Sequence, residues 1–479
     1  MKGIVFVLSL LSAALAFASV ELTVYNQGFA LVKETREIML KHGKQKITLF
    51  DIAKKIDPTS VSLRSLKKKN ALRILEQNYR YDPVTTSAIL KKVVGSKIKL
   101  TRTLQDGRKE VIIGTLLSEP SSYKSTYGGH QGMVLQTDDG RILLNPTGEI
   151  EVASIPTELA VKPRLIWDLN STVEGNHPIE LNYITKGISW NADFTLTLEH
   201  DQVKAGIQGW VTLNNRSGTG FKNAKLKLLA GNIKKARSTK SKYAYEKAAF
   251  MAAPTRASTK SFAQKSIADY HLYTLSWPTT IMDKEIKQVS FIRKNSIPVA
   301  KRLVIDPMKS YGSYYPSSSA RGTGKFKPDI HLEFTNTEKN QLGIPLPAGR
   351  IRVFQKEESG SVQLIGEDNI QHTPTGEKLK LVIGKAFDIV AERKRTNYQS
   401  TRKEKGKPRY VFQDFEIHMR NNKNKAETVH LVERHWGEWQ INNSNLEYQK
   451  IDSNTVQFSL LLKPKESRKI IFSITTKYN

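Results

Sequence analysis

Residues 410–420, YVFQDFEIHMR, decide the fold class. Phe415, Ile417 and Met419 fall on one face of an extended chain, and Glu416, His418 and Arg420 fall on the other. That period of two is the signature of a strand with one buried side. Val456, Phe458, Leu460 and Leu462 repeat the pattern, as do Ile470, Phe472 and Ile474. The polar stretch KPKESRK between these last two runs includes Pro464 and predicts a β-hairpin.

Two short units recur. A charged turn feeding a strand occurs as KHGKQKITLF at 41–50, DKEIKQVSFI at 283–292 and KPKESRKIIF at 463–472. A strand running into an Asn-rich turn occurs as VTLNNRSG at 211–218, LEFTNTEKN at 332–340 and IHMRNNKNK at 417–425. Asn suits such turns because its side chain bonds nearby backbone and tolerates positive φ. The recurrence points to several similar sandwiches. Residues 93–155 carry five short strand patterns punctuated by Gly95, Gly107, Gly114, Gly132 and Gly140, which fits a small SH3- or Sm-like barrel.

The expected fold is therefore all-β: multiple antiparallel, immunoglobulin-like β-sandwich modules plus one small barrel, with basic disordered loops. A chain of 479 residues suits three or four domains of roughly 100–150 residues each. The expected division is a signal peptide at 1–18, an N-terminal β domain at 19–90, a barrel at 91–156, a sandwich at 157–306 carrying the basic loop 232–268, and a C-terminal sandwich at 325–479. Three segments read as unpacked: 232–268, with nine Lys/Arg against one Glu, 307–328, and 392–409, with eight Lys/Arg against two Glu. YEKAAFMAA at 245–253 reads as a short helix within the first of them.

The first residues, MKGIVFVLSLLSAALAFA, combine Lys2, an apolar run and small residues at Ala16 and Ala18. This is a secretory signal peptide, with cleavage expected between Ala18 and Ser19. Export to the periplasm or beyond follows, and no transmembrane helix is expected in the mature chain. The chain has no cysteine, which excludes disulfides, thiolate metal sites and a cysteine nucleophile. The formal net charge is +30, and removing 1–18 takes away one lysine and no acid, leaving +29. Such charge attracts polyanions.

The opening VYNQGFALVKETREI, DPTSVSLRSL at 57–66 and EQNYRYD at 76–82 resemble bacterial proteins carrying the domain of unknown function 4139. So do LNYITKGISWNADFTLTL at 181–198, SGTGFKNAKLKLLAG at 217–231, DYHLYTL at 269–275, LGIPLPAGRIRVFQ at 342–355 and IGEDNIQHTP at 365–374. The resemblance covers nearly the whole mature chain. More remotely, around Trp190, the chain is similar to the mucoidy-inhibitor A proteins. The resemblance implies an exported, mostly β protein with a variable insert near 232–268, and it carries no catalytic residue or ligand.

HLVERH at 430–435 is the densest His/Glu cluster. On a regular strand His430 faces away from Glu433 and His435, so no compact metal site forms. Trp436 and Trp439 follow at once, and paired tryptophans near a strand end either anchor a partner or fill the end of a sandwich. Trp190 and Trp210 lie in alternating runs and read as core. His130 sits in the turn YGGHQG. No G-x-S-x-G elbow or phosphate-cradling glycine motif occurs. The faint mixture of Lys/Arg with Tyr243, Tyr245 and Phe250 does not predict a nucleic-acid partner for an exported chain. No catalytic residue, cofactor or metal is expected. The expected role is a non-enzymatic envelope protein that binds a protein partner or an anionic polymer, with Trp436 and Trp439 as candidate partner-binding residues. The alternatives are an exported hydrolase of envelope glycans or peptides, or a carbohydrate-binding module.

Overall fold

The computed structural model describes residues 19–119, 132–154, 156, 159, 162–231, 233–234, 262–267, 270–309, 321–401 and 409–478. Residues 1–18 with Ala18, His130, the stretch 245–253 and most of the basic loop 232–268 lie outside the described residues; Ser19 begins them. The described chain is almost wholly strand, with one helix, Thr86–Lys92. That helix starts where the Thr85 hydroxyl accepts from the Ala88 N–H and ends on Lys91 and Lys92.

The chain divides into two compact units: Met1–Trp190, Leu213–Leu229 and Tyr273–Lys287 form one, and Asn191–Thr212, Ala230–Leu272 and Gln288–Asn479 form the other. In the first, one sheet contains, in order, the strands Phe221–Ala230, Val20–Tyr25, Phe29–Leu40, Gly175–Lys186 and Ile56–Ser65. Val20–Tyr25 pairs parallel with Phe221–Ala230 and antiparallel with Phe29–Leu40. A second sheet places Arg164–Ser171 between Gly43–Leu49 and Leu72–Arg80. Ile38, Leu40 and Ile179 of the first sheet pack with Ile47, Leu49 and Leu72 of the second. The strands within 19–90 do not pair only among themselves: each of the five has a hydrogen-bonded neighbour between residues 164 and 230. Trp167 is fully buried, and its Nε1 donates to Gln77 Oε1 at 2.8 Å.

The five strand patterns of 93–155 form one sheet in the order Glu149–Glu151, Lys97–Thr103, Lys109–Ser118, Val134–Thr137, Ile142–Leu144. This sheet has its own core, including Leu90, Ile98, Leu100, Leu116 and Leu135. Gly114 is required there, since a Cβ would lie 2.4 Å from the Gln136 carbonyl oxygen.

In the second unit two sheets pack face to face. One orders Lys378–Lys385, Asp329–Thr335, Ala300–Ile305, Glu427–Arg434, Thr455–Leu462 and Tyr448–Lys450. The other orders Gly324–Phe326, Ile389–Ser400, Arg409–Asn421, Ser467–Tyr478 and Glu438–Ser444. Leu431, Phe458 and Leu460 of the first meet Phe415, Ile417 and Phe472 of the second in a shared core. Phe472 stacks between Phe415, at 5.2 Å, and Phe458, at 5.3 Å. The sandwich begins before residue 325, because Ala300–Ile305 pairs parallel with Glu427–Arg434.

Four expectations are corrected here. Thr455–Leu462 and Ser467–Tyr478 are not a hairpin: they lie in opposite sheets, and the turn between them arches across the sandwich. The segment 392–409 is not unpacked over its first half, since Ile389–Ser400 is a strand paired on both edges. Its charged residues alternate in the ladder, and the inward Arg393 is neutralised inside the core. Gly324–Phe326 and Phe262–Ile267 likewise place strands inside the other two segments read as unpacked.

The three Asn-rich turns share one construction. Asn215, Asn336 and Asn421 are 0%, 0% and 1% exposed. Asn215 Nδ2 donates to the Thr219 and Met282 carbonyls at 2.8 and 3.0 Å. Asn336 Nδ2 does the same to Ile344 and Pro374 at 2.7 and 3.0 Å, and Asn421 Nδ2 to Lys425 and Lys463 at 2.8 and 3.0 Å. Their backbone N–H groups donate to the carbonyls of Glu285, Glu377 and Glu466. Each partner segment is a four-residue turn whose third residue, Lys284, Gly376 or Lys465, has φ of 62°, 94° or 57°. A buried amide thus ties its own loop to a turn from another strand by satisfying backbone carbonyls of both.

Candidate functional site

Trp436 and Trp439 sit where Glu427–Arg434 of one sheet hands over to Glu438–Ser444 of the other. Both are half-buried. Trp439 packs against the C-terminal core, and its Nε1 donates to the Ser453 carbonyl at 2.8 Å. Lys450 Nζ lies 4.7 Å from the centre of its ring, a cation–π arrangement. The two indoles line different depressions. Trp439 lines an open cleft of about 400 Å³ with Tyr410, Glu438, Lys450, Ser453 and Lys477. Trp436 lines a smaller cavity of about 30 Å³ with Arg393, Arg395, Gln413 and His435.

The smaller cavity exists because the inward faces of four strands turn polar toward one end of the sandwich. Ile389 and Ala391 are followed by Arg393 and Arg395, and Ile470, Phe472 and Ile474 by Thr476. Gln413 interrupts the inward row between Phe415 and Val411. On the facing sheet, Val429 and Leu431 give way to Glu433 and His435. Buried charge is costly unless it is paired and hydrogen-bonded. Arg393 Nε and Nη2 meet the two Glu433 oxygens at 2.8 Å each, and Arg393 Nη1 donates to the Gly322 carbonyl at 3.1 Å. The Arg393 guanidinium lies 4.0 Å from the centre of the Phe415 ring. Arg434 binds Asp306 at 2.8 Å.

Two polar atoms at this end have no partner: His435 Nε2 and Gln413 Oε1 are both buried without a hydrogen bond. Burial, with the Arg393 charge beside it, pushes the His435 imidazole down to about 3, so it is neutral near pH 7. Unsatisfied buried groups cost about 1–3 kcal/mol each, and they mark places where something further binds or where strain is held.

The rest of the HLVERH cluster does not converge. His430 Nδ1 is 2.9 Å from Ser459 Oγ on the opposite face, while Glu433 is held by Arg393. Trp190 is buried, with Nε1 donating to the Leu229 carbonyl at 3.3 Å, and Trp210 is half-buried. Arg393, Arg395, Gln413 and Thr476 escape sequence reasoning because they come from separate strands; the signal that finds them is a polar residue in the inward phase of an alternating run. Among the described residues no helix is long and apolar enough to cross a membrane. No family model matches the chain, and no curated protein matches it.

Proposed function

We propose that this chain is an exported, non-enzymatic protein of the cell envelope that holds a partner at the tryptophan-bearing end of its C-terminal sandwich. The observation that carries this reading is the cleft of about 400 Å³ at Trp439, lined also by Tyr410, by Lys450, whose ammonium lies 4.7 Å from the centre of the indole ring, and by Lys477, which is paired with Glu438 at 2.8 Å. Large aromatic faces beside cations are the anchors most often found in binding surfaces. The Trp439 N–H is already satisfied by Ser453, which fixes the ring without using a partner. The charge of +30 favours an acidic partner, either an envelope protein or an anionic polymer. Residues 1–18 and the segments resembling domain-of-unknown-function 4139 proteins support export.

The test is binding of the chain to purified lipopolysaccharide, peptidoglycan, anionic vesicles and membrane proteins across a salt series. The reading expects saturable binding to one fraction that persists near 1 M salt, where screening shortens to about 3 Å. It expects that binding to be lost in Trp436→Ala/Trp439→Ala while the protein remains folded. Failure to bind any fraction at any salt overturns it, and turnover in a screen of glycans, esters and peptides replaces it with the exported hydrolase.

A further inference from the structure

We infer that the outer face of the sheet bearing Glu438–Ser444 is a sugar-binding platform, and that the partner held at this end of the sandwich is an acidic polysaccharide. The inference rests on the proposed function and narrows its partner to one class of polymer.

Four strands of this sheet lie side by side in the order Ile389–Ser400, Arg409–Asn421, Ser467–Tyr478, Glu438–Ser444. Residues paired directly across strands share a face. Phe412 pairs with Gln399 on one side and Thr475 on the other, and Thr475 pairs with Gln440. That row spans roughly 14 Å, three inter-strand spacings of about 4.8 Å. Tyr410, two residues before Phe412, stands on the same face about 7 Å away, a distance within the span of a disaccharide. Phe412 and Tyr410 are 41% and 36% exposed, while Val411 between them, on the inner face, is 1% exposed. Gln399 and Gln440 are exposed, and neither side chain makes a hydrogen bond among the described residues. The Thr475 hydroxyl accepts from Asn442 Nδ2 at 2.7 Å, which leaves its own proton to donate.

This chemistry selects a sugar. The face of a pyranose ring is a patch of C–H bonds, and its rim carries hydroxyls. Exposed aromatic rings, negative on their faces, take the first, and amides and hydroxyls beside them bond the second. A protein interface puts apolar side chains at its fully buried centre. Here both cross-strand neighbours of Phe412, Gln399 and Thr475, are polar. Charge selects the acid. On the platform, Asp414 accepts from Asn397 Nδ2 at 3.0 Å and Glu438 pairs with Lys477 at 2.8 Å, so these carboxylates are already answered. Lys450 lines the adjoining cleft with Tyr410, Gln440 and Thr475 and is in no ion pair among the described residues. Its ammonium, 4.7 Å from the centre of the Trp439 ring, meets the carboxylate of one sugar while neighbouring sugars stack on the platform. Trp439 itself packs against the core with Lys450 over its ring, so it forms the wall of the cleft and stacking falls to Tyr410 and Phe412.

The test is calorimetric titration of the full chain with hexagalacturonate, which has both sugar rings and carboxylates. Cellohexaose supplies rings without charge, and an acetylated, amidated hexaglutamate supplies charge without rings. Hexagalacturonate should bind the most tightly of the three. Phe412→Ala and Tyr410→Ala should each weaken it at least about tenfold, and Lys450→Gln should weaken it as well. Phe387→Ala, which removes a ring 79% exposed near the opposite end of Ile389–Ser400, should leave it unchanged. Thermal melts establish that each variant folds; should Phe412→Ala not fold, Gln399→Ala/Gln440→Ala carries the test with the same expected loss. The platform is overturned if hexagalacturonate binds Phe412→Ala as tightly as the parent chain, or if Phe387→Ala weakens binding as much. The acidic-sugar class is overturned if cellohexaose or hexaglutamate binds as tightly as hexagalacturonate. Binding of an envelope fraction that needs Trp436 and Trp439 yet is indifferent to Phe412 removes the platform and leaves the proposed function standing. No binding of either kind removes both.

Discussion

Arg393 and Glu433 reach toward each other from opposite sheets and form a two-point ion pair inside the C-terminal sandwich, 3% and 0% exposed. Neither partner can lose the other cheaply, because the survivor stays charged in an apolar surrounding. Arg393→Met should destabilise the second unit by about 3–5 kcal/mol, read as a lower urea midpoint. Arg393→Met/Glu433→Leu should recover most of that loss, since a matched apolar pair removes the desolvation cost as well as the attraction. A double variant as unstable as the single one would show that the pair is not the source of the loss.

Asn421 gives a second measurable lock. Its buried amide holds the carbonyls of Lys425, Leu462 and Lys463, and the bond to Leu462 is itself buried. Asn421→Ala should cost about 2–4 kcal/mol by leaving those carbonyls unsatisfied. The exposed Asn442→Ala should cost less than about 1 kcal/mol in the same denaturation assay.

Acid should weaken the fold in two steps of the same sign. His435 sits at about 3 through burial and then Arg393, and His331 at about 4 through burial and then Lys380, against an ordinary histidine value of 6.5. Between those values the unfolded chain takes up protons that the native chain refuses, so stability rises with pH through this window and is lost as pH falls from 6.5. Glu180, held at about 2 chiefly by its hydrogen bond from Arg64, adds a loss of the same sign below 4.5. His435→Phe should flatten the decline of the melting temperature between pH 6.5 and 4, and Arg64→Gln should flatten it only below 4.5. Unchanged slopes in both variants would place the acid sensitivity elsewhere.

Gly349 lies so close to its parallel neighbour that a Cβ would stand 2.1 Å from the Ala192 carbonyl oxygen. Gly349→Ala should therefore force the two strands apart and cost about 1–3 kcal/mol, with faster amide hydrogen exchange along Ala192–Leu198.

The all-β class was legible in runs such as Phe415, Ile417 and Met419, because a strand with one wet face writes its burial directly into the sequence. The same rule hid Ile389–Ser400, whose inward positions include Arg393 and Arg395: a charge in the core looks, residue by residue, like a charge in a loop. The supposed hairpin around Pro464 failed for a different reason. Alternation shows which residues face inward, yet both sheets of a sandwich face inward, so it does not say which sheet a strand joins. Trp436 and Trp439 were legible as a pair; that they line two separate depressions depends on Tyr410, Gln413 and Lys450, whose nearness only the strand pairing creates.

The buried asparagines carry a consequence for how this architecture tolerates change. Asn215 and Asn421 each hold a carbonyl four residues on, while Asn336 holds one eight residues on, yet all three grip the same kind of turn. The clamp therefore separates the length of a connection from the alignment of the strands it joins. Segments grafted between an asparagine and its distant anchor would lengthen the periphery without shifting the ladders beneath, so these corners are places where the chain can acquire new surface while keeping its frame.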